Sequence, residues 1–269
     1  MTEMQQAGVE LDSMSLTAVI SSCRRGDRWQ QTLGLLSKAR QRSIEVHIIT
    51  CSSLIGACES SEQWSWSVEL LGIVRQAGLM PTIITLASAI SACEKGQQWQ
   101  WAVQLLSRNS FAANVVSYSS AMSACEKGEC WDRALALLGE MLQRGLLPSV
   151  VPYAAGVSAC EKGRQWARAL NLLQVLEWRR FGFNAVTHSA AISACEKCGQ
   201  WEASLELLET GCRWPKSCVA IVAYNAALSA CEIGKQWAQA LRLLITILCE
   251  GLLPDAITYN AAISACEKG

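Results

Sequence analysis

Histidine and phenylalanine are scarce in this 269-residue chain, with 2 and 3 copies, and neither sign of charge is in excess, since 23 lysines and arginines meet 23 aspartates and glutamates. Each shortage removes a class of function. His47 and His188 leave no base beside a nucleophile. They also give no partner set for the Cys-x-x-Cys at Cys195 and Cys198, so no catalytic residue, metal site or cofactor is expected. A glycine loop for phosphates is missing too, and with it any sign of a small-molecule substrate. The balanced charge gives no overall pull toward nucleic acid or membrane, which weakens a polyanion-binding reading without excluding it. No apolar run reaches the length of a membrane span. Residues 1–12 carry Glu3 and Glu10 but no Arg or Lys, unlike a signal or transit peptide.

Cysteine, by contrast, is abundant, and its placement is periodic. Of the 14 cysteines, Cys23, Cys58, Cys93, Cys125, Cys160, Cys195, Cys231 and Cys266 follow one another at intervals of 32 to 36 residues. Most sit in copies of the block Ile263-Ser264-Ala265-Cys266-Glu267-Lys268-Gly269, with further copies ending at Gly26, Gly96, Gly128, Gly163 and Gly234. A period of this length marks a repeat array, whose length reflects the number of stacked units rather than the size of one core. Equivalent cysteines on stacked helices about 8–10 Å apart lie beyond the roughly 7 Å reach of a disulfide. Free thiols acting as small core residues are therefore expected, in a reducing compartment.

The register gives full repeats at 13–47, 48–82, 83–114, 115–149, 150–184, 185–220 and 221–255, flanked by partial repeats at 1–12 and 256–269. Both ends look cut from a longer array. In 221–255, Tyr224, Leu228 and Cys231 share one stripe of a first helix, which Gly234 ends. A second stripe, Trp237, Ala240, Leu241 and Leu244, precedes Gly251 and Pro254. Each repeat thus reads as a helical hairpin, and the chain as all-α. Thr50, Thr85, Ser117, Thr187 and Thr258 are placed to cap the first helices, with Pro152 once in their stead. Trp29, Trp64, Trp99, Trp131, Trp166, Trp201 and Trp237 each follow the repeated cysteine by six residues. They open the second helix and fill the gap between hairpins, a better fit than a ladder for stacking bases. The repeat 83–114 lacks three residues after Leu106, which predicts a short second helix. The repeat 185–220 carries Gly211, Cys212, Pro215 and Cys218 in an irregular connection.

Arg25, Lys95, Lys127, Lys162, Lys197 and Lys268 recur at the end of the first helix. A cation there is favourable by about 0.3–1 kcal/mol through the helix dipole. The same row could instead track a phosphate backbone, one cation per repeat. Both readings stay open, and the preceding glutamates offset part of the field.

The hairpin period, Val-Ala-Tyr-Asn at 222–225, Ile-Thr-Tyr-Asn at 257–260, the Ala-Leu pair and Gly-Leu-Leu-Pro-Asp at 251–255 together resemble the pentatricopeptide repeat family over essentially the whole chain. That resemblance implies a right-handed superhelical solenoid whose first helices line a groove for single-stranded RNA, one base per repeat. It implies that Met14, Ile49, Ile84, Val116, Val151, Val186, Val222 and Ile257, second in their repeats, wedge against bases. The fifth and last residues would read base edges: Thr17 with His47, Ser52 with Thr82, Ala87 with Asn114, Ser119 with Ser149, Ala154 with Asn184, and Asn225 with Asp255. Ser189 and Asn260 are fifth residues without an assigned partner. Of these pairs Asn225 with Asp255 matches a defined family combination, one that favours uracil. The expected role is a non-catalytic RNA-binding scaffold in organellar RNA processing, stability or editing, in chloroplast or mitochondrion, alongside protein partners of an RNA-processing complex. The alternative is a protein-interaction scaffold of the same shape without RNA binding.

Overall fold

The computed structural model describes residues 34, 48–179, 181, 185–211 and 218–269, and among them every regular element is helical. Met14, Thr17, Cys23, Arg25, Trp29, His47, Asn184, Cys212, Pro215 and the partial repeat 1–12 lie outside the described residues. The chain divides into two compact units, Met1–Gly128 and Glu129–Gly269. The first holds α1 (Ile48–Ser60), α2 (Trp64–Gln76), α3 (Ile83–Lys95), α4 (Trp99–Arg108) and α5 (Val115–Lys127). The second holds α6 (Trp131–Gln143), α7 (Val150–Lys162), α8 (Trp166–Trp178), α9 (Ala185–Lys197), α10 (Trp201–Gly211), α11 (Cys218–Ile233), α12 (Trp237–Cys249) and α13 (Ala256–Lys268). Within each unit the first helices of successive repeats pack side to side, α1 on α3 on α5 and α7 on α9 on α11 on α13. A second helix such as α2 or α8 lies against its own first helix and the next one.

The first-helix stripe behaves as the spacing predicts. Tyr224, Leu228 and Cys231 are buried, as are Leu86, Ile90 and Cys93 in α3. Cys58, Cys93, Cys125, Cys160, Cys195 and Cys231 are buried free thiols. Burial pushes Cys58, Cys160 and Cys231 up to about 11 and Cys93 and Cys195 up to about 12, so these sulfurs stay protonated and act as packing. The second stripe is rotated from the expected one: α12 buries Ala240, Leu243 and Ile247, and leaves Leu241 exposed. The third residue after each second-helix tryptophan is tightly enclosed and small. It is Ala102, Ala134, Ala169 or Ala240, or else Ser67 or Ser204, whose hydroxyls bond back to Gln63 O and Trp201 O in their own turns.

Two kinds of glycine do different work. Gly78, Gly145 and Gly251 end second helices with φ of 71°, 70° and 71°, and a Cβ on any of them would meet open space. Their need is conformational. The mid-repeat glycines end the first helices, as the sequence suggested for Gly234, but they do so without a left-handed turn of their own. Gly96, Gly128 and Gly163 have φ of −78°, −87° and −80°. The left-handed residue is the next one, Gln97, Glu129, Arg164 or Lys235, with φ of 53° to 56°. After it the chain closes on the repeated cysteine's carbonyl, as in Gln98 N–H to Cys93 O at 2.8 Å and Gln236 N–H to Cys231 O at 2.8 Å. These glycines are required for space. A Cβ on Gly96, Gly128, Gly163 or Gly234 would drive into the indole of Trp64, Trp99, Trp131 or Trp201, the tryptophan of the preceding repeat. In 185–220 the order differs: Cys198 stands at the glycine's place in the sequence, donating to Arg164 O at 3.2 Å, and Gly199 takes the left-handed conformation.

The two irregular repeats resolve differently. α4 has 10 residues where α2 and α6 have 13, and the 3-10 turn Ser110–Ala112 follows it. Arg75 from the preceding repeat donates to Arg108 O at 3.1 Å and to Asn109 Oδ1 at 2.7 Å, while Asn109 Nδ2 donates to Leu105 O. The shortened end is thus satisfied by a neighbour. In the other, Cys218 belongs to a helix, not to the irregular connection: α11 begins three residues before the expected start of the next repeat at 221.

His188 is buried on α9, 3.8 Å from Glu177 on α8, at the position where neighbouring repeats place Tyr153 and Tyr224. No group of three or more metal-ligating side chains forms among the described residues. Burial lowers the His188 pKa from 6.5 to about 4. The unfolded chain therefore takes up a proton that the folded one refuses, so stability is full above pH 6.5 and falls as pH drops from 6.5 toward 4. The loss should approach about 3 kcal/mol, and His188→Tyr should remove it; urea melts at pH 7.5 and pH 4.5 measure both.

For the glycine contact, Gly163→Ala should cost about 1–3 kcal/mol by overpacking, measured by urea unfolding. In a Trp131→Ala background the same change should cost far less, because the ring is gone. Additive losses would show that the glycine serves something other than the indole.

Candidate functional site

The first helices carry an apolar row that packing does not explain. Ile49, Ile84 and Val116 in one unit, and Val151, Val186, Val222 and Ile257 in the other, are 54–72 % exposed. Each is the second residue of its repeat, and all but Val222, which lies further inside α11, are second in their helix as well. An isolated exposed valine is ordinary, but the same exposed aliphatic in every described repeat is a patterned surface.

One turn along from each lies the fifth residue, which shares its face of the helix. Ser52, Ala87, Ser119, Ala154, Ser189 and Asn225 are half-buried there, and Asn260 is exposed. The last residue of a repeat turns out to be the N-cap of the next first helix. Thr82 accepts from Thr85 N–H at 3.2 Å, Asn114 from Ser117 N–H at 2.9 Å, and Asp255 from Thr258 N–H at 2.8 Å. The N-cap is thus not at the expected Thr50, Thr85, Ser117, Thr187 or Thr258, although Thr258 Oγ1 does take up a backbone amide, accepting from the Asp255 N–H at 3.2 Å. These side chains are buried, and in α3, α5 and α13 they stand three residues inside the cap. Ser149 also caps a helix but makes no side-chain cap bond, because the residue three on is Pro152, which has no N–H to give.

Two of the fifth-and-last pairs are linked, one directly and one through a third side chain, while Ser119 turns back to Val115 O. Asn225 Nδ2 donates to the Asp255 carboxylate at 3.2 and 3.3 Å, and Thr258 Oγ1 lies 2.7 Å from Asn225 Oδ1 and 2.8 Å from Asp255 Oδ1. The Thr258 N–H, first among several donors, holds the Asp255 carboxyl below its usual range, so it is a carboxylate at neutral pH. Ser52 and Thr82 are joined less directly: Thr85 Oγ1 is 2.7 Å from each hydroxyl. Asn114 has no polar partner at Ala87, and its Oδ1 accepts from both the N–H and the Oγ of Ser117, at 2.9 and 3.0 Å. Ser189 turns back to Ala185 O.

The lysine row is paired rather than bare. Lys127 meets Glu94 at 3.1 Å, Lys197 meets Glu161 at 3.0 Å and Lys268 meets Glu232 at 2.6 Å, each glutamate belonging to the preceding repeat. Lys95 donates to Glu59 O at 3.3 Å with the Glu59 carboxylate 3.8 Å away. Those lysines keep 39–55 % of their side chains exposed and the glutamates 20–25 %. The lysine side chains therefore stay largely open to solvent while the glutamates that pair with them are mostly covered. The sequence displayed every Glu-Lys dipeptide, but not that a glutamate serves the lysine of the next repeat. Nor did it display the connecting role of Thr85 and Thr258; their regular place in the third position was the available signal.

Family models of the pentatricopeptide repeat match the chain in three stretches: a repeat model at residues 116–146 and 186–210, and a repeat-domain model at 34–95. No curated protein matches it. Among solved structures, the pentatricopeptide repeat protein PPR10 in complex with an 18-nucleotide psaJ RNA element superposes with a TM-score of 0.74 at 16 % identity, over 98 % of this chain and 39 % of that one. PPR10 from maize superposes with a TM-score of 0.58 at 18 % identity, over 100 % of this chain and 43 % of that one. The repeat domain of Arabidopsis thaliana protein-only RNase P 1, in complex with tRNA, gives 0.57 at 15 % identity over 65 % of this chain and 94 % of that one. The chain thus spans about two fifths of the PPR10 length, and at these identities the likeness establishes the fold.

Proposed function

Because this chain belongs to the pentatricopeptide repeat family, we propose that it is a non-catalytic scaffold binding single-stranded RNA along its first helices, one base per repeat. The observation that carries this reading is the exposed aliphatic row, Ile49, Ile84, Val116, Val151, Val186, Val222 and Ile257. An apolar group repeated at the spacing of the helices suits the flat faces of successive bases, and it supplies affinity without regard to sequence. Polar pairs beside the row would then discriminate between bases. Asn225 with Asp255 is the most developed of them, Ser52 with Thr82 the next, while Ala87, Ala154 and the uncapped Ser149 offer less. Ser119, Asn114, Ser189 and Asn260 occupy the same positions and are proposed to face bases as well. The exposed side chains of Lys95, Lys127, Lys197 and Lys268 are available to phosphates, with Lys162 at the equivalent place. PPR10 with its RNA element and the RNase P repeat domain with tRNA are relatives in fold bound to RNA, which supports the reading. No helix among the described residues is long and apolar enough to cross a membrane. On this reading the protein works in organellar RNA processing, stability or editing, in chloroplast or mitochondrion.

Filter binding at several salt concentrations tests the proposal. RNA should be retained, with affinity falling as salt rises, and Lys268→Ala should weaken all sequences alike and lower the salt slope by about 0.7, the value for one phosphate contact on a single strand. No retention even at low salt would turn the reading toward a protein-interaction scaffold.

At the Asn225 register uracil should be preferred. Asn225→Ser with Asp255→Asn should shift that preference toward adenine by about 1 kcal/mol, the net worth of a hydrogen bond. A uracil preference that survives the double substitution would remove this pair from the reading.

A further inference from the structure

We infer that the third residue of a repeat is a positioning residue for the polar pair of the repeat before it, so that Thr258 decides which groups Asn225 and Asp255 present to a base. The inference rests on the RNA-binding reading above. Thr258 itself is fully buried and cannot touch a ligand. Its hydroxyl accepts from the Asp255 N–H at 3.2 Å, and its own proton lies between two acceptors, Asn225 Oδ1 at 2.7 Å and Asp255 Oδ1 at 2.8 Å. On the other side, Asn225 Nδ2 faces both carboxylate oxygens.

These contacts hold the amide in one orientation. Rotating it by half a turn would set its oxygen against the Asp255 carboxylate, two acceptors with no proton between them. The Asn225 oxygen is therefore held toward Thr258 and one N–H toward Asp255. What remains for a ligand is the second Asn225 N–H and the unshared lone pairs of the carboxylate, a fixed pattern of donor and acceptor. Without the hydroxyl, the Asn225 oxygen loses its donor and the amide gains freedom to swing, so the pattern blurs although both reading side chains are still present.

The same linkage recurs in the other compact unit with different residues. Thr85 is buried and joins Ser52 to Thr82 through hydroxyl contacts of 2.7 Å each. The geometry is thus a property of the third position, not of one asparagine. Thr187 is buried at the equivalent place in α9 and supplies a matched control.

The test measures binding of the intact chain to RNA oligonucleotides that differ only by carrying each of the four bases at one register. Thr258→Val keeps the β-branched shape and removes the hydroxyl. It should shrink the ratio between the best and worst base at the Asn225 register on the order of fivefold, while the other registers keep theirs. Thr258→Ser should retain the ratio, and Thr187→Val should leave it unchanged at comparable loss of melting temperature. Thr85→Val should act in the same way at the Ser52 register, which keeps the inference testable if the last helix tolerates no change. A ratio unmoved by Thr258→Val and by Thr85→Val, in an array where Asn225→Ala abolishes it, would overturn the positioning role alone. A wild-type chain that binds no RNA, or binds all four bases equally at every register, would overturn the RNA reading and this inference with it.

Discussion

The contact between a tryptophan and the next repeat's glycine sets how closely the hairpins stack. Each described second helix begins on its tryptophan, and the indole of Trp64, Trp99, Trp131 or Trp201 lies where a Cβ of Gly96, Gly128, Gly163 or Gly234 would have to be. Because the glycine is the C-cap of its first helix, the ring fixes that helix end against the preceding hairpin. The first helices held this way carry the buried cysteines, the salt-bridged lysines and the exposed aliphatic row. The cost is borne by the next residue. Gln97, Arg164 and Lys235 take the left-handed conformation that a glycine would take more easily. Crowding by the ring has overridden local backbone preference.

A second economy operates at the start of the first helix. The residue that caps it is the last residue of the previous repeat, and the buried hydroxyl three residues on ties that cap to the fifth residue of the previous helix. Thr82, Thr85 and Ser52 form one such link, and Asp255, Thr258 and Asn225 another. Capping, packing between repeats and the placing of the polar fifth residue therefore use the same side chains. Proline at position 152 shows the coupling by its failure, since without an N–H it leaves Ser149 with no cap bond.

Electrostatics follows the same inter-repeat logic. The lysines near the ends of the first helices gain from the helix dipole and from a glutamate of the preceding repeat, so the choice between a structural and a phosphate-binding role is not exclusive. Pairing holds each ammonium in place while the lysine side chain remains exposed. It also accounts for an array with balanced charge that can still present cations at regular spacing.

The sequence alone determined the period, the hairpin, the all-α class, the opening of second helices on tryptophan, the buried cysteines and the shortened helix after Leu106. These are legible because every repeat solves the same packing problem, so one pattern is written many times. The exposed aliphatic row and the polar positions were legible through family resemblance, as a list of positions. The tertiary structure decided what each position touches. It put the N-cap at Thr82 and Asp255, with Thr258 completing a capping box from inside the helix, placed Cys218 in a helix, and turned the buried stripe of α12 from Leu241 to Leu243. It also showed that Gly163 makes room for a ring and that Glu232 serves Lys268. These contacts join residues 30 to 36 apart, as in Asn225 to Asp255 and Glu232 to Lys268. Their partners depend on the rotation between neighbouring helices, which no local pattern of apolar and polar residues encodes.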